Sequence, residues 1–148
     1  MTASVMSFVA SLNLTGRCLD VGSFNVNGCV RHLFTDYTGL DMRAGPNVDV
    51  VAPANAIPFP AASFDVVTCL EMLEHDPDPF GSVRDMRRVL KPGGTLVLTA
   101  PSIGFPRHDY PSDYWRFTGD GLAVLLRGMA DVRVGEGDRH AFAVGRKA

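Results

Sequence analysis

The chain has 148 residues, 46% of them apolar, with 14 Lys and Arg against 16 Asp and Glu, a net charge of −2 and a mean hydropathy of +0.08. That length builds one domain able to bury roughly two-thirds of the surface its unfolded form exposes, and the near-balanced charge leaves counterion release little to work with, which argues against a nucleic-acid-binding module. No apolar run reaches the roughly 20 residues of a bilayer span. Residues 1–6 carry no basic leader, and Cys18, Cys29 and Cys69 form no CxxC pair, so free or buried thiols in a reducing, cytoplasmic compartment are expected.

Val5, Phe8, Val9 and Leu12 recur at helical spacing within residues 4–14, and Gly16 ends that helix. Arg17–Val21 is a short apolar run stopped by Gly22 and reads as a buried strand. Residues 27–34 read as a brief helix with Asn27 at its N-cap. Residues 37–41 and 48–51 are the second and third strands, and Phe64–Leu70 is the fourth, its continuous apolarity suiting a parallel strand covered on both faces. Residues 82–90 have helical periodicity, Lys91-Pro92-Gly93-Gly94 terminates that helix, and residues 95–100 form the fifth strand. A helix over residues 119–129 precedes the runs 132–134 and 140–144, whose short connection imposes an antiparallel hairpin. Strands alternating with helices and ending in a hairpin specify an open α/β sheet, parallel except for its last strand, without internal repeats.

In such a sheet, ligands bind outside the carboxyl ends of the strands, where the strand order reverses. Asp20-Val21-Gly22-Ser23 stands at the first of these ends, where Gly22 admits a close backbone approach or simply makes a strand-to-helix turn. Asp41 follows 21 residues after Asp20, the spacing at which an acidic side chain holds a ribose diol. The alternative for Asp41 is a solvated turn carboxylate. The pair favours a nucleoside-containing ligand.

The segments Ile57-Pro58-Phe59-Pro60-Ala61-Ala62-Ser63-Phe64-Asp65-Val66-Val67 and Leu90-Lys91-Pro92-Gly93-Gly94-Thr95-Leu96 resemble those of class I S-adenosylmethionine-dependent methyltransferases of the type 11 group. The resemblance implies a Rossmann-like seven-stranded sheet of order 3-2-1-4-5-7-6 with S-adenosylmethionine over the ends of strands one to four. It further implies that Asp20, Gly22 and Ser23 line the methionine end, that Asp41 holds the ribose with Met42 near the adenine, that Ala54 and Asn55 face the adenine edge, and that Leu70 and Glu71 flank the sulfonium. The loop from Gly22 to Gly28 departs from the family's Gly-x-Gly-x-Gly, so Asn25 and Asn27 are candidates to supply polar contacts, and Pro53 stands where an Asp often reads the adenine amino group.

Glu71-Met72-Leu73-Glu74-His75 resembles the ubiquinone-pathway O-methyltransferases, and an ExxEH cluster recurs in small-RNA 2′-O-methyltransferases, where a metal is implied. One helical turn would set Glu71, Glu74 and His75 on a common face. They either order the loop, or supply a base, or bind Mg²⁺ or Mn²⁺; a divalent metal is not favoured. For an oxygen acceptor His75 is the first candidate base and His108 the second.

The segment 101–118 carries His108, Tyr110, Asp113, Tyr114, Trp115 and Arg116, is too polar to be core, and is placed to close over an acceptor unless it is a surface Ω-loop. Its phrase His108-Asp109-Tyr110-Pro111-Ser112-Asp113-Tyr114-Trp115-Arg116-Phe117-Thr118 resembles small bacterial and phage members of the type 11 group. His32 and His140 fall inside predicted elements and read as structural.

The function expected is methyl transfer from S-adenosylmethionine to a small-molecule or sugar acceptor at oxygen, with no nucleic acid or membrane partner. A neighbouring subunit in a homodimer, the 101–118 loop or the N-terminal helix completes the acceptor site. The alternative is a catalytically silent cofactor- or partner-binding module. A nicotinamide-dependent reductase fits the Lys-Pro-Gly-Gly phrase and the terminal hairpin poorly.

Overall fold

The computed structural model describes residues 1–148. In chain order the elements are α1 (Ala3–Ser11), β1 (Arg17–Val21), β2 (Asp36–Asp41), β3 (Val50–Val51), β4 (Phe64–Leu70), α2 (Pro79–Val89), β5 (Leu90–Pro101), α3 (Gly119–Leu125), β6 (Ala130–Gly137) and β7 (His140–Arg146). They form one seven-stranded sheet of order β3-β2-β1-β4-β5-β7-β6, the order expected. β1 to β5 pair in parallel, and β7 lies antiparallel to both β5 and β6.

The period-two alternation of the strands divides the core between the two faces of the sheet. On one face Val83, Met86 and Val89 of α2 and Leu122 and Leu125 of α3 pack on Leu19, Val67, Cys69, Leu96 and Leu98. On the other, Val5 and Val9 of α1 meet Leu70, Val97 and Val144, with Phe8 tilted against Phe142 at 4.9 Å. No helix is long and apolar enough to cross a membrane, and all three cysteines are free thiols.

Three local readings need correction. The helix expected over residues 27–34 is a single 3-10 turn, Arg31–Leu33. Asn25 Oδ1 accepts from the backbone N–H of Gly28 at 2.7 Å, and Gly28 has φ +110°, so the chain turns where a helix would have to begin. The helix α2 begins earlier than expected, because Asp78 caps it through the N–H of Gly81 and Pro79 takes the first-turn position, where no N–H is needed. Lys91–Gly94 does not precede the fifth strand but lies within β5: Phe64 pairs with Leu90 and Val66 with Thr95, so the register shifts at a bulge there. Lys91 Nζ reaches Asp65 Oδ1 at 2.9 Å across the bulge.

The terminal hairpin turns on Asp138 and Arg139 alone, both at positive φ (51° and 60°), the conformation of a two-residue turn that matches strand twist. That turn sets His140 opposite Pro101 at the carboxyl end of β5.

Candidate active site

The strand order reverses between β1 and β4, and a cleft opens there, bordered by Asp20, Gly22, Ser23, Leu70 and Glu71 together with Met1 and residues of the 24–29 turn. Asp20, at the end of β1, is 3% exposed. Its Oδ2 accepts from the Tyr37 hydroxyl at 2.5 Å and its Oδ1 from Thr68 at 2.7 Å. Burial pushes its carboxyl up to about 6, and the two hydroxyl donors pull it back. Tyr37 in turn accepts from Asn47 Nδ2, which also donates to the carbonyl of Ser23, while the Ser23 hydroxyl donates to the carbonyl of Asn47. Arg31 closes the network on Asn47 and Asp49. Tyr37, Asn47 and Arg31 therefore hold the turn after β1, a role the sequence reading did not assign; the small turn residues around Asn47 were its only signal.

Gly22, at φ +82°, is required by its neighbour: a Cβ there would lie 2.4 Å from Met72 Cγ. Met72 packs across the side where a Cβ would stand, while Gly22 also borders the cleft. Asn25 spends its side-chain oxygen on the Gly28 turn.

Asp41, at the end of β2, is 9% exposed and accepts from the N–H of Phe24 at 3.2 Å and of Arg43 at 3.0 Å. Each carboxylate oxygen keeps acceptor capacity beyond these bonds. Met42 beside it is exposed. Asp41, Met42, Ala54 and Asn55 lie outside the cleft lining, so the cleft covers the β1–β4 part of the expected ligand path and the end of β2 forms a separate shelf.

The turn after β4 differs from the expected arrangement. Glu71 has φ +56° and stands outside the 3-10 turn Leu73–His75, so Glu71, Glu74 and His75 do not share a helical face. Glu71 Oε2 lies 3.1 Å from His140 Nε2 instead. Glu74 is fully buried, and its Oε1 is 3.4 Å from Nε2 of both His75 and His108, whose rings meet edge to face at 4.8 Å. The set that converges is therefore Glu74, His75 and His108, with ligand atoms within 4.8 Å of one another, in place of Glu71, Glu74 and His75. It is a donor set that a divalent cation accepts. Burial first, then the Glu71 charge, pushes Glu74 up to about 8. His75 Nδ1 donates to the carbonyl of Ser112, 2.6 Å away, and neither His75 nor His108 lines the cleft.

The 102–118 loop is tied across this turn. Tyr114 and Trp115 N–H groups both donate to the carbonyl of Glu74, and Trp115 Nε1 donates to that of Asp76 at 2.8 Å. Asp113 accepts two bonds from Arg116, at 2.6 and 2.7 Å, and one from the N–H of His108, also at 2.7 Å. The Arg116 pair holds the Asp113 carboxyl well below the usual range. These two side chains are consumed within the loop, whereas Tyr110, Tyr114 and Trp115 stay about half exposed.

A family model described as a methyltransferase domain matches residues 19–98, more than half of the chain. The chain belongs to the methyltransferase domain family. This class I methyltransferase chain is 38% identical over 87 residues to a ubiquinone biosynthesis O-methyltransferase of Pseudomonas aeruginosa, an overlap of 59% of the chain and 34% of that relative. It spans about a third or less of the curated relatives it matches. Among solved structures, a SAM-dependent methyltransferase of Thermotoga maritima aligns with TM-score 0.82 at 18% identity, covering 98% of this chain and 88% of the other. The 1,6-didemethyltoxoflavin-N1-methyltransferase of Burkholderia thailandensis, solved with bound 1,6-didemethyltoxoflavin and S-adenosylhomocysteine, aligns at 0.70 and 20% identity over 99% of this chain and 77% of its own. At these identities the structural likeness speaks for the fold.

Proposed function

We propose that the chain binds S-adenosylmethionine across the carboxyl ends of β1, β2 and β4 and transfers its methyl group to an oxygen of a small acceptor. The observation that carries this reading is the pair of acidic side chains, Asp20 at the cleft and Asp41 on the β2 shelf, set by parallel pairing of β1 and β2 at the switch point of the family's fold. The residues fit the group: Asp41 keeps carboxylate lone pairs for two hydroxyl donors, and Leu70 and Glu71 border the cleft.

When bound, the cofactor supplies an electrophilic methyl group. The chain's part is to align the acceptor and exclude water. Tyr110, Tyr114 and Trp115, exposed on a loop fastened to the Glu74–Asp76 backbone, form the acceptor wall, and a small neutral or phenolic compound suits their apolar rings. An oxygen acceptor must also lose a proton. Glu71 borders the cleft, while His75 and His108 direct Nε2 at Glu74, so Glu71 takes that proton.

Incubation with methyl-labelled S-adenosylmethionine and a panel of phenols, catechols and sugars tests the transfer. Label in an ether product is expected for a phenolic member. Label only in amine products would contradict transfer to oxygen, and cofactor binding without transfer to any acceptor would contradict the enzyme reading and favour the silent-module alternative.

A further inference from the structure

His140 is 1% exposed at the start of β7 and has no part in the reaction as written above. Its Nδ1 lies 2.7 Å from the carbonyl of Asp138, which only accepts, so Nδ1 carries a proton. Nε2 then faces Glu71 Oε2 at 3.1 Å, off the line of an ideal ring N–H bond. A bare nitrogen lone pair against a carboxylate in this buried position would repel, so a proton stands between Nε2 and Oε2, and held on Nε2 it leaves Glu71 ionised. Phe105 fixes the ring from the side, its centroid 5.0 Å away at 68°.

Glu71 is held as firmly from its own side. Its N–H donates to the carbonyl of Thr99 at 3.0 Å, and its left-handed φ of +56° is uncommon for a residue with a side chain. Burial pushes its carboxyl up, and His140 is the largest influence pulling it back. The other charged groups that face it are His108, the amino group of Met1, Glu74 and Arg116.

We propose that His140 is a positioning residue for Glu71, fixing its carboxylate in the ionised form at the cleft wall so that it takes the proton of an acceptor hydroxyl. The inference rests on the O-methyl-transfer reading. In that step the acceptor oxygen bonds the methyl carbon as the C–S bond breaks, the C–S electron pair stays on sulfur, and the O–H proton passes to Glu71. The oxygen gains positive charge as its bond to carbon forms, so a carboxylate paired with a cation is still basic enough. The proton leaves to water after the product departs.

Glu71, Glu74 and Glu136 are the chain's only glutamates, so ¹³C-labelled glutamate carboxyls can be followed singly by NMR in the full chain. In His140→Gln, and in His140→Phe, which keeps a ring beside Phe105, the Glu71 midpoint moves up by about one pH unit or more, about tenfold in proton affinity. An unmoved midpoint in a folded variant overturns the proposal. In the wild type, a long-range ¹H–¹⁵N correlation shows both His140 ring nitrogens protonated while Glu71 is ionised; a bare Nε2 beside an ionised Glu71 overturns it without any variant. S-adenosylhomocysteine binds wild type and both variants alike. Its failure to bind the wild type would contradict the cofactor reading and leave the Glu71 result to be judged on its own.

Discussion

Asp20 holds its charge at the end of β1 with only hydroxyl donors as close partners, so its ionisation weighs against the fold. Its folded value, about 6, lies above the unfolded one. The stability linked to its proton is therefore complete below the unfolded value and lost as pH rises through the folded one, about 3 kcal/mol in all. Asp20→Asn removes that dependence: in urea unfolding, the variant gains on wild type between about pH 4 and about pH 6, and a constant difference would contradict the assignment. Asp113 behaves in the opposite sense. Its lowered carboxyl contributes stability above the unfolded value and loses it as pH falls through the folded one. Asp113→Ala strands Arg116 and the N–H of His108 and costs about 2 kcal/mol or more by the same measurement; a change within about 0.5 kcal/mol would mean the loop is held elsewhere. Of these two residues, Asp20 was legible from its strand-end position. Asp113 was read as an acceptor contact, because pairing with Arg116 is a property of the loop's folded path and not of its composition.

Among the elements, the strands were legible where their neighbours bury both faces. Arg17–Val21 and Phe64–Leu70 have the bounds expected from apolar continuity alone. The absence of a helix over 27–34 was not legible, since Asn25 and Gly28 make a side-chain turn whose signal is weaker than the apolar residues that follow. Lys91–Gly94 has the composition of a helix stop, and the same residues serve a bulge once β4 pairs alongside. His140 was read as structural because its approach to Glu71 depends on the β5–β7 register and the two-residue turn before it. The packing of the turn after β4 onto the turn after β1 gives a direct test at this scale. Gly22→Ala places a Cβ 2.4 Å from Met72 Cγ and imposes a left-handed conformation on alanine, so thermal unfolding should report a loss of about 2 kcal/mol or more. Adding Met72→Gly removes both atoms that the new Cβ meets, Cγ at 2.4 Å and Cβ at 2.5 Å, but not the backbone cost, and recovers part of the loss; no recovery would place the strain elsewhere.

For the molecule as a whole, the order β3-β2-β1-β4-β5-β7-β6 puts Asp20, Asp41 and Glu71 at one edge of the sheet from three separate strands. Length and balanced charge are consistent with a chain given over mostly to this sheet, with the 102–118 loop proposed as its acceptor side. The central claim is that this edge binds S-adenosylmethionine, and calorimetric titration with S-adenosylhomocysteine tests it most directly. Saturable one-to-one binding is predicted for the wild type, weakened about tenfold or more in Asp41→Ala, the loss of a charge-assisted pair of hydrogen bonds. No binding at millimolar ligand, or equal binding by Asp41→Ala, would contradict it.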